Sequence, residues 1–352
     1  MKILHTADWH LGKRLERFDR REEQVKLLDE IVAIADRERV DAVVIAGDLY
    51  DTFNPPTASV EDFYRCLKRL ANNGQRPVVA IAGNHDSPAR IEAPEPLARE
   101  CGILLLGYPD SHIQPYALPE GMSILRSAPG FLELQLPNTP IPLRLLTTPY
   151  ANEVRLRKAL ASEAEINDVL KAHWQSLADQ YCDANGVNLL LAHLFMMKRG
   201  GVAPEEPHDE KPIHIGTATA IYTDIIPEQI QYAALGHLHR HQRISGGPCP
   251  VVYSSSLLEY SFAEAGQPKY VVIVEAEPGE VVKYEKIALS QPTPLARKRF
   301  ASVDDAVAWL QENEACYVEL TIETEHYLTA EERRRLSDAH PRIIGPLPYF
   351  EG

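Results

Sequence analysis

The chain has 352 residues, enough for about two domains at roughly 150 residues each. Its 45% hydrophobic and 24% charged composition is that of an ordinary globular protein. The net charge of −14 argues against a nucleic-acid-binding protein, because a basic surface is the usual mark of phosphate-backbone binding.

Three further features exclude other classes of protein. The longest apolar runs, such as 42–46 and 189–192, have the length of strands and fall far short of the roughly 20 residues of a membrane span. The N-terminus does not resemble a signal peptide. The five cysteines are scattered and form no CxxC pair, which argues against a disulfide framework and a cysteine zinc site. We therefore expect a cytoplasmic protein that does not contact a membrane.

Up to residue 90, the sequence alternates between predicted strands and helices. Short apolar runs at 3–7, 42–46 and 78–82 predict strands, and helical patterns extend from about 22 to 37 and from about 59 to 71. This alternation is typical of βαβ units and a largely parallel sheet. A polar cluster follows each strand directly, at the carboxyl end where open α/β sheets bind their ligands.

The middle of the chain is less regular. Residues 105–150 mix proline, glycine and short β-like stretches, and residues 197–216 are predicted to form a surface loop. The remaining predicted elements are a helix from about 161 to 181 and strands at 187–192, 232–235, 251–253 and 270–275. We assign 251–253 and 270–275 to a second sheet. The expected fold is therefore α/β, a two-sheet sandwich flanked by helices.

The pattern changes after about residue 290. A helix at 303–311, a strand at 317–324 and a helix start at 329–332 predict a small α+β unit. We expect one domain of residues 1–285 and a second of residues 286–352. The last six residues carry no helix or strand stop, so we expect the natural protein to continue beyond them.

Five short polar motifs follow predicted strands. They are Asp8-Trp9-His10, Gly47-Asp48, Gly83-Asn84-His85-Asp86, His193 and Gly236-His237-Leu238-His239. Each motif alone is weak, because a Gly-Asp pair or a histidine at a strand end is more often a turn or a satisfied polar group. Their shared position after strands would let them converge, which favours a common functional site.

The residue types in these motifs suit metal binding. Carboxylate, amide oxygen and imidazole together favour Mn, Fe, Zn or Ni over Mg and Ca. Asp8 and His10 are two residues apart, as are His237 and His239, so in an extended chain each pair would face one side. Asp48 could bridge two ions about 3.5–4 Å apart, the separation in two-metal phosphoryl-transfer enzymes. Two such ions would also add about four positive charges to an acidic protein.

The motif order D-x-H, G-D, G-N-H-D, H and G-H-x-H resembles the calcineurin-like metallophosphoesterases. The stretches 3–12 and 232–240 are similar to those of the bacterial members that process DNA ends. The resemblance covers essentially residues 1–280, and the part after 290 resembles the capping domain of those nucleases. One departure is Ser254-Ser255-Ser256, where many members carry a turn like Ser-Gly-Ser.

The resemblance implies two divalent metal ions, with manganese expected. The ligands of one would be Asp8, His10, Asp48 and His239, and those of the other Asp48, Asn84, His193 and His237. His85 would be the catalytic histidine that stabilises the phosphorus centre or protonates the leaving oxygen. Asp86 would orient His85, although a plain turn role for Asp86 stays open.

The implied function is a metal-dependent DNA nuclease, a 3′–5′ exonuclease on double strands and an endonuclease on single strands or hairpins. The resemblance also implies an SbcC-type ATPase partner in DNA end processing, repair, recombination and replication, and a homodimer that could use residues 59–71. The alternatives are a phosphodiesterase or phosphatase of small molecules or phosphoproteins, and a catalytically silent scaffold of the same fold. No active-site arginines of a phosphatase are recognisable, and scaffolds usually lose ligands that this chain retains.

Several polar residues near the motifs have weaker assignments. His5 lies within the first predicted strand, so we expect it to be a core residue or to support a ligand from behind, and not to bind a metal itself. Asp51 is either a residue at the rim of the site or a polar loop residue. Lys13, Arg14 and Arg90 could contact phosphates or simply be solvated.

Overall fold

The computed structural model describes residues 1–156, 163–204, 220–324 and 327–349. Up to residue 156 the strands are β1 Lys2–Thr6, β2 Arg14–Leu15, β3 Phe18–Asp19, β4 Ala42–Ala46, β5 Val78–Ile81, β6 Ile103–Leu106, β7 Tyr116–Ala117, β8 Ser123–Ala128, β9 Phe131–Gln135 and β10 Pro142–Thr148. The α-helices in this part are α1 Arg21–Arg37, α2 Thr57–Ala71, α3 Pro88–Glu92, α4 Glu95–Ala98 and α5 Glu153–Leu156.

The second half begins with the long helix α6 Glu163–Tyr181. Its strands are β11 Val187–His193, β12 Met196–Met197, β13 Ile221–Tyr222, β14 Tyr232–Gly236, β15 Gln242–Ile244, β16 Val251–Tyr253, β17 Tyr270–Glu275, β18 Lys283–Ala288, β19 Leu295–Phe300, β20 Tyr317–Glu323 and β21 Ile343–Tyr349. The last two helices are α7 Val303–Glu312 and α8 Ala330–Ala339.

Two large sheets form the centre of the fold. The first has the order β18-β17-β1-β4-β5-β6, and the second has the order β15-β16-β14-β11-β10-β9-β8-β7. In the first sheet β1, β4, β5 and β6 are parallel to one another, as the strand–helix alternation predicted. In the second sheet β10, β11, β14 and β16 are parallel.

Three apolar layers hold the sheets and helices together. Alternate residues of β4 point to opposite faces: Val43 and Ile45 pack towards α1 and α2, whereas Val44 packs into the layer between the two sheets. The third layer joins the outer face of the second sheet to α6, with Trp174 fully buried. Because both faces of the parallel strands are covered, their sequences are continuous apolar runs. The predicted two-sheet sandwich flanked by helices is therefore confirmed.

One prediction about the middle of the chain is wrong, and a second falls largely outside the residues that the structure describes. We assigned 270–275 to the second sheet, but β17 lies in the first sheet, antiparallel to β1, where His5 pairs with Val272. An apolar run predicts a buried strand without identifying its neighbour, so the error lay in the partner and not in the strand. Of the predicted loop at 197–216, residues 205–216 lie outside the described residues.

A smaller unit follows the two sheets. Its sheet has the order β19-β20-β21, all parallel, and α7 and α8 pack on it around a core that includes Val318 and Leu336. Helix α8 begins with a capping box in which Thr329 and Glu332 satisfy each other's backbone N–H groups. A separate apolar cluster of Leu15, Phe262, Leu295 and Tyr317 joins this unit to the rest of the molecule.

Candidate metal centre

The carboxyl ends of strands from both large sheets meet at one end of the sandwich. Asp8, Asp48 and Asn84 follow β1, β4 and β5 of the first sheet, His193 ends β11, and His237 and His239 follow β14 of the second. A hydrogen bond of 2.7 Å between His193 Nδ1 and the Ala46 carbonyl joins the two sheets there. All seven residues that the sequence offered as metal ligands therefore lie together.

One group of donor atoms forms around His10. Ligand atoms of Asp8, His10 and His239 lie within 4.8 Å of one another, and all three residues are buried. His10 Nε2 is 3.0 Å from His239 Nε2 and 3.6 Å from Asp48 Oδ2. This group corresponds to the first of the two expected ligand sets.

A second group lies beside it and shares Asp48. Ligand atoms of Asp48, His193 and His237 lie within 4.8 Å of one another. Asn84 Oδ1 is 2.9 Å from His193 Nε2 and 2.9 Å from His237 Nδ1. Asp48 Oδ2 is 3.4 Å from His193 Nε2 and 3.6 Å from His10 Nε2, so one carboxylate oxygen faces both groups.

The backbone at these positions is left-handed and not extended. The φ angles of Asp8, His10, Asp48 and His237 are 53°, 43°, 47° and 105°. Our reasoning that Asp8 and His10 share a side because the chain is extended was therefore wrong, and the same holds for His237 and His239. Non-glycine residues at positive φ cost of order 1–3 kcal/mol each and cluster at functional sites. A hydrogen bond stabilises the strained backbone at His237, because its N–H donates to the carboxylate of Asp8 at 2.9 Å.

Glycines let the loops approach one another closely. A Cβ at Gly47, whose φ is 87°, would lie 2.2 Å from His193 Nδ1. A Cβ at Gly83 would lie 2.0 Å from Asp48 Oδ1. Neither distance is possible for real atoms, so both motifs need glycine before their functional residues.

His85 lies beside the cluster without being one of the seven. Its ring centroid is 4.8 Å from that of His10, and it is only half-buried. Its Nδ1 lies 2.8 Å from the backbone carbonyl of Asp51, and its backbone N–H donates to Asp48 Oδ1 at 2.9 Å. The loop that holds Asp48 therefore also fixes the direction of the His85 ring.

Asp86 does not contact His85 in the way we expected. Its buried carboxylate accepts three backbone N–H groups, those of Gly83 at 2.7 Å, Tyr50 at 2.9 Å and Leu49 at 3.0 Å. These bonds tie the turn after β5 to the loop after β4. The turn role that the sequence left open is the one the structure supports, and the Asp51 carbonyl is the group that orients His85.

Arg155, on the short helix α5, stabilises the turn of residues 83–86 through hydrogen bonds to its backbone carbonyls. The sequence did not reveal it, because no motif connects it with residues 83–86. Its guanidinium donates to the carbonyls of Gly83 at 2.7 Å, Asp86 at 2.9 Å and Asn84 at 3.4 Å. It also lies 5.1 Å from the ring centroid of Tyr150.

Sequence analysis assigned Asp51 only weakly to the site and did not identify Glu264 at all. Asp51 Oδ1 lies 3.6 Å from His10 Nδ1 and 3.4 Å from Lys13 Nζ, which places it at the rim of the site. Its position three residues after Asp48 was the available signal. Glu264, 3.2 Å from His239 Nδ1, had no signal, since it is 25 residues away in sequence and belongs to no motif.

His5 is a core residue, as expected. It is fully buried, and its two ring nitrogens lie 3.1 Å from the Tyr232 hydroxyl and 3.0 Å from the Leu235 carbonyl. Burial lowers the pKa of His5 to about 3, so the ring stays neutral.

The electrostatics of the centre favour bound positive charge. Burial lowers the pKa of both His10 and His237 to about 3, which leaves these rings neutral with lone pairs available. Burial also disfavours the charged form of His193, but the carboxylates of Asp48 and Asp8 outweigh this and raise its pKa to about 9. Burial raises the pKa of Asp8 itself to about 6, against the opposing effect of His193.

Divalent cations fit this donor set. The converging atoms are carboxylate oxygens, one amide oxygen and imidazole nitrogens, which are all ligand atoms. The partner of each Nδ1 indicates which ring nitrogen would bind a metal, since His193 faces a carbonyl and His239 a carboxylate there. His239 would therefore present its Nε2 to a metal, and a metal that binds His193 would displace the proton that the nearby carboxylates hold on its Nε2.

Comparison with known proteins identifies the family. Residues 1–192, more than half of the chain, match the family described as Calcineurin-like phosphoesterase. The chain belongs to the calcineurin-like phosphoesterases. Members of this family use divalent metal ions, so this phosphoesterase is a metal-dependent enzyme.

Two relatives are similar over most of their length. The SbcD subunit of the SbcCD nuclease from Bacillus subtilis (strain 168) is 36% identical over 361 residues, which span 100% of this phosphoesterase and 86% of the relative. The protein of the same name from Rhodobacter capsulatus is 31% identical over 298 residues, spanning 84% and 71%. The resemblance to bacterial nuclease subunits that two sequence stretches indicated is confirmed.

A solved structure gives a more distant match. A dimetal phosphatase from Danio rerio is 13% identical with a TM-score of 0.47, over 83% of this phosphoesterase and 97% of that chain. In the described parts of the chain, no helix combines the length and apolarity that crossing a membrane requires.

Proposed function

We propose that this phosphoesterase is the nuclease component of a DNA-processing complex and hydrolyses phosphodiester bonds in DNA together with an SbcC-type ATPase. The observation that carries the proposal is a set of seven ligand side chains, six of them buried and Asn84 half-buried, in a chain that aligns along its whole length with a nuclease subunit. A silent scaffold is not favoured, because such proteins lose ligands. A small-molecule or phosphoprotein phosphatase is not favoured, because both relatives are named as nucleases.

Two divalent ions, Mn²⁺ by our proposal, would occupy the two groups of ligands. The first would bind Asp8, His10, Asp48 and His239, and the second Asp48, Asn84, His193 and His237. Asp48 would be shared, since Oδ2 lies within 3.6 Å of nitrogens in both groups. When bound, the ions would bring positive charge to the phosphodiester and lower the pKa of the attacking water.

His85 is the proposed catalytic residue. The Asp51 carbonyl accepts the Nδ1 hydrogen, so Nε2 is the nitrogen left to act on substrate. A protonated ring could donate from Nε2 to the leaving oxygen or to a charged phosphoryl oxygen. Partial exposure of His85 gives substrate access that the six buried ligands do not have.

Further parts of the proposal concern domains and partners. We propose that residues 286–352 form a capping domain, with β18 at the junction because it still pairs with β17 of the first sheet. We also propose a homodimer that uses residues 59–71 of α2, where Glu61, Arg65 and Lys68 are exposed. A cytoplasmic location fits the five free cysteines.

The decisive test is nuclease activity on defined DNA. Purified protein with Mn²⁺ would be given a duplex labelled at either end, a hairpin and a single strand, with and without an SbcC-type ATPase. We expect nucleotides to be released from 3′ ends and the hairpin loop to be cut. Nitrophenyl monoesters and diesters are the comparison substrates. Hydrolysis of these esters without any DNA cleavage would contradict the proposal and favour a small-molecule phosphoesterase.

A further inference from the structure

A fully buried ion pair lies directly behind His239. Glu264 ends a short 3-10 turn at Phe262–Glu264, and Lys269 immediately precedes β17. Both side chains have zero solvent exposure. Burial of two charges carries a large desolvation penalty for each ion, so a pair of this kind needs good geometry and further hydrogen bonds. The proposed function gives neither residue a role.

The hydrogen bonds of this pair converge on His239. Glu264 Oε1 lies 3.2 Å from His239 Nδ1, and its Oε2 accepts from Lys269 Nζ. Lys269 Nζ also donates to the backbone carbonyl of His239 at 3.0 Å and to the Ser256 hydroxyl at 2.9 Å. All three ammonium hydrogens thus have acceptors. Together the two residues hold both the ring and the backbone of His239.

This support sets His239 apart from the other histidines of the centre. A carboxylate acceptor keeps the hydrogen on Nδ1 and makes Nε2 a stronger ligand. His193 has a neutral carbonyl at the equivalent position, and the Nε2 of His237 is buried with no hydrogen-bond partner among the described residues. The carboxylate nearest to the His10 Nδ1, that of Asp51, is 3.6 Å away, beyond hydrogen-bond range.

We propose that Glu264 and Lys269 are positioning residues that fix His239 and selectively raise the affinity of the metal position formed by Asp8, His10 and His239. Glu264 would set the tautomer and direction of the ring, and Lys269 would hold Glu264 and the His239 backbone in place. The inference rests on the proposed metal centre. It does not depend on DNA being the substrate.

The test is a Mn²⁺ titration of the 352-residue, metal-stripped protein, with free Mn²⁺ measured by electron paramagnetic resonance. We expect two bound ions in the wild type. In Glu264→Gln we expect one ion to bind about 10–100-fold more weakly, the usual effect of losing such a partner, while the other binds as before. Circular dichroism and urea unfolding of the metal-free proteins would check the fold.

Glu259→Gln is the matched control. Glu259 is a buried carboxylate on the same loop, 2% exposed, and it accepts the backbone N–H groups of Gly266 and Leu295. We expect this variant to unfold at lower urea concentration but to bind both ions normally. Equal effects of the two substitutions on Mn²⁺ binding, or two wild-type affinities in Glu264→Gln, would overturn the inference.

A double variant covers the case in which Glu264→Gln fails to fold because Lys269 is left unpaired. Glu264→Gln with Lys269→Met removes both charges, a replacement that is often tolerated. The same weakening of a single ion is expected, and two wild-type affinities would refute the inference. A wild type that binds two ions but cleaves no DNA would contradict the proposed function alone. A wild type that binds no Mn²⁺ would contradict both.

Discussion

His85 differs from its neighbours because its ring is half-exposed and Nδ1 is already held by a backbone carbonyl. We expect His85→Ala to lower kcat on DNA by about 10²–10⁴-fold, the usual contribution of acid–base catalysis. Mn²⁺ affinity should stay near that of the wild type, since the seven ligands are retained. Initial rates and a Mn²⁺ titration measure the two quantities.

His112→Ala is the control for that substitution, because His112 is exposed and bonds to the surface residues Ser127 and Gln114. It should change neither kcat nor metal binding. If His85→Ala lost metal affinity in proportion to kcat, His85 would be a ligand and the catalytic role would be wrong.

Single residues of the centre were predictable where they follow strands. Asp48 and His193 could be identified because apolar runs indicate where strands end, and ligands gather there. Glu264 and Arg155 could not, since their roles depend on contacts with chain segments 25 and about 70 residues away. Ser255 occupies the position of the glycine in a Ser-Gly-Ser turn. Its φ is 112°, in the region that favours glycine, and its hydroxyl bonds to the backbone of Tyr270.

At the scale of elements, the sequence predicted strands better than it predicted their neighbours. The runs that became β4 and β11 are apolar throughout because both their faces are covered. Strands β9 and β10 carry the buried charged residues Glu133 and Arg144, so residues 105–150 showed no clean pattern. Their charges pair only after the strands have come together: Glu133 on β9 lies opposite Arg126 on β8 and Arg144 on β10.

The ion pairs of Glu133 with Arg126 and Arg144 predict that the stability of the protein depends on pH. Glu133 is buried, and burial alone would raise its pKa, but its bonds to Arg126 and to Arg144 at 2.7 Å outweigh that and lower it. A lowered pKa means that the contribution to stability is present above the unfolded value of about 4.3 and fades as pH falls through the folded pKa. We expect Glu133→Gln to lower the free energy of unfolding by about 3 kcal/mol at pH 7. The difference from the wild type should shrink towards pH 3.

Urea unfolding at several pH values would measure this difference. Glu319→Gln is the matched control, because Glu319 pairs across strands with Arg297 but on the surface, where such pairs contribute about 0–1 kcal/mol. If Glu133→Gln lowered the free energy of unfolding by the same amount at pH 7 and at pH 3, the charge of Glu133 would contribute nothing to stability.

At the scale of the whole molecule, the net charge of −14 conflicts with a DNA substrate unless positive charge is gathered locally. Three positively charged side chains are gathered at one such place, and one of them, Arg240, immediately follows His239 in sequence. Lys198, Arg240 and Arg243 line a cavity of about 520 Å³ there, together with the edge strand β15. The amino-acid composition could not predict this surface. Its positively charged residues come from separate parts of the sequence, and only the fold brings them together.

The salt dependence of DNA binding tests whether this surface contacts phosphates. Each phosphate contact contributes about 0.9 to the slope of log K against log salt concentration. Arg243 is exposed at the cavity, so Arg243→Ala should reduce that slope by about 1 and weaken binding similarly for all sequences. Lys26→Ala, which removes an exposed positive charge from α1, should leave the slope unchanged. Fluorescence anisotropy of a labelled duplex in the His85→Ala background would measure binding without cleavage. Equal slopes for Arg243→Ala and Lys26→Ala would mean that the duplex avoids this cavity, and that the bound metal ions must supply most of the attraction for phosphate.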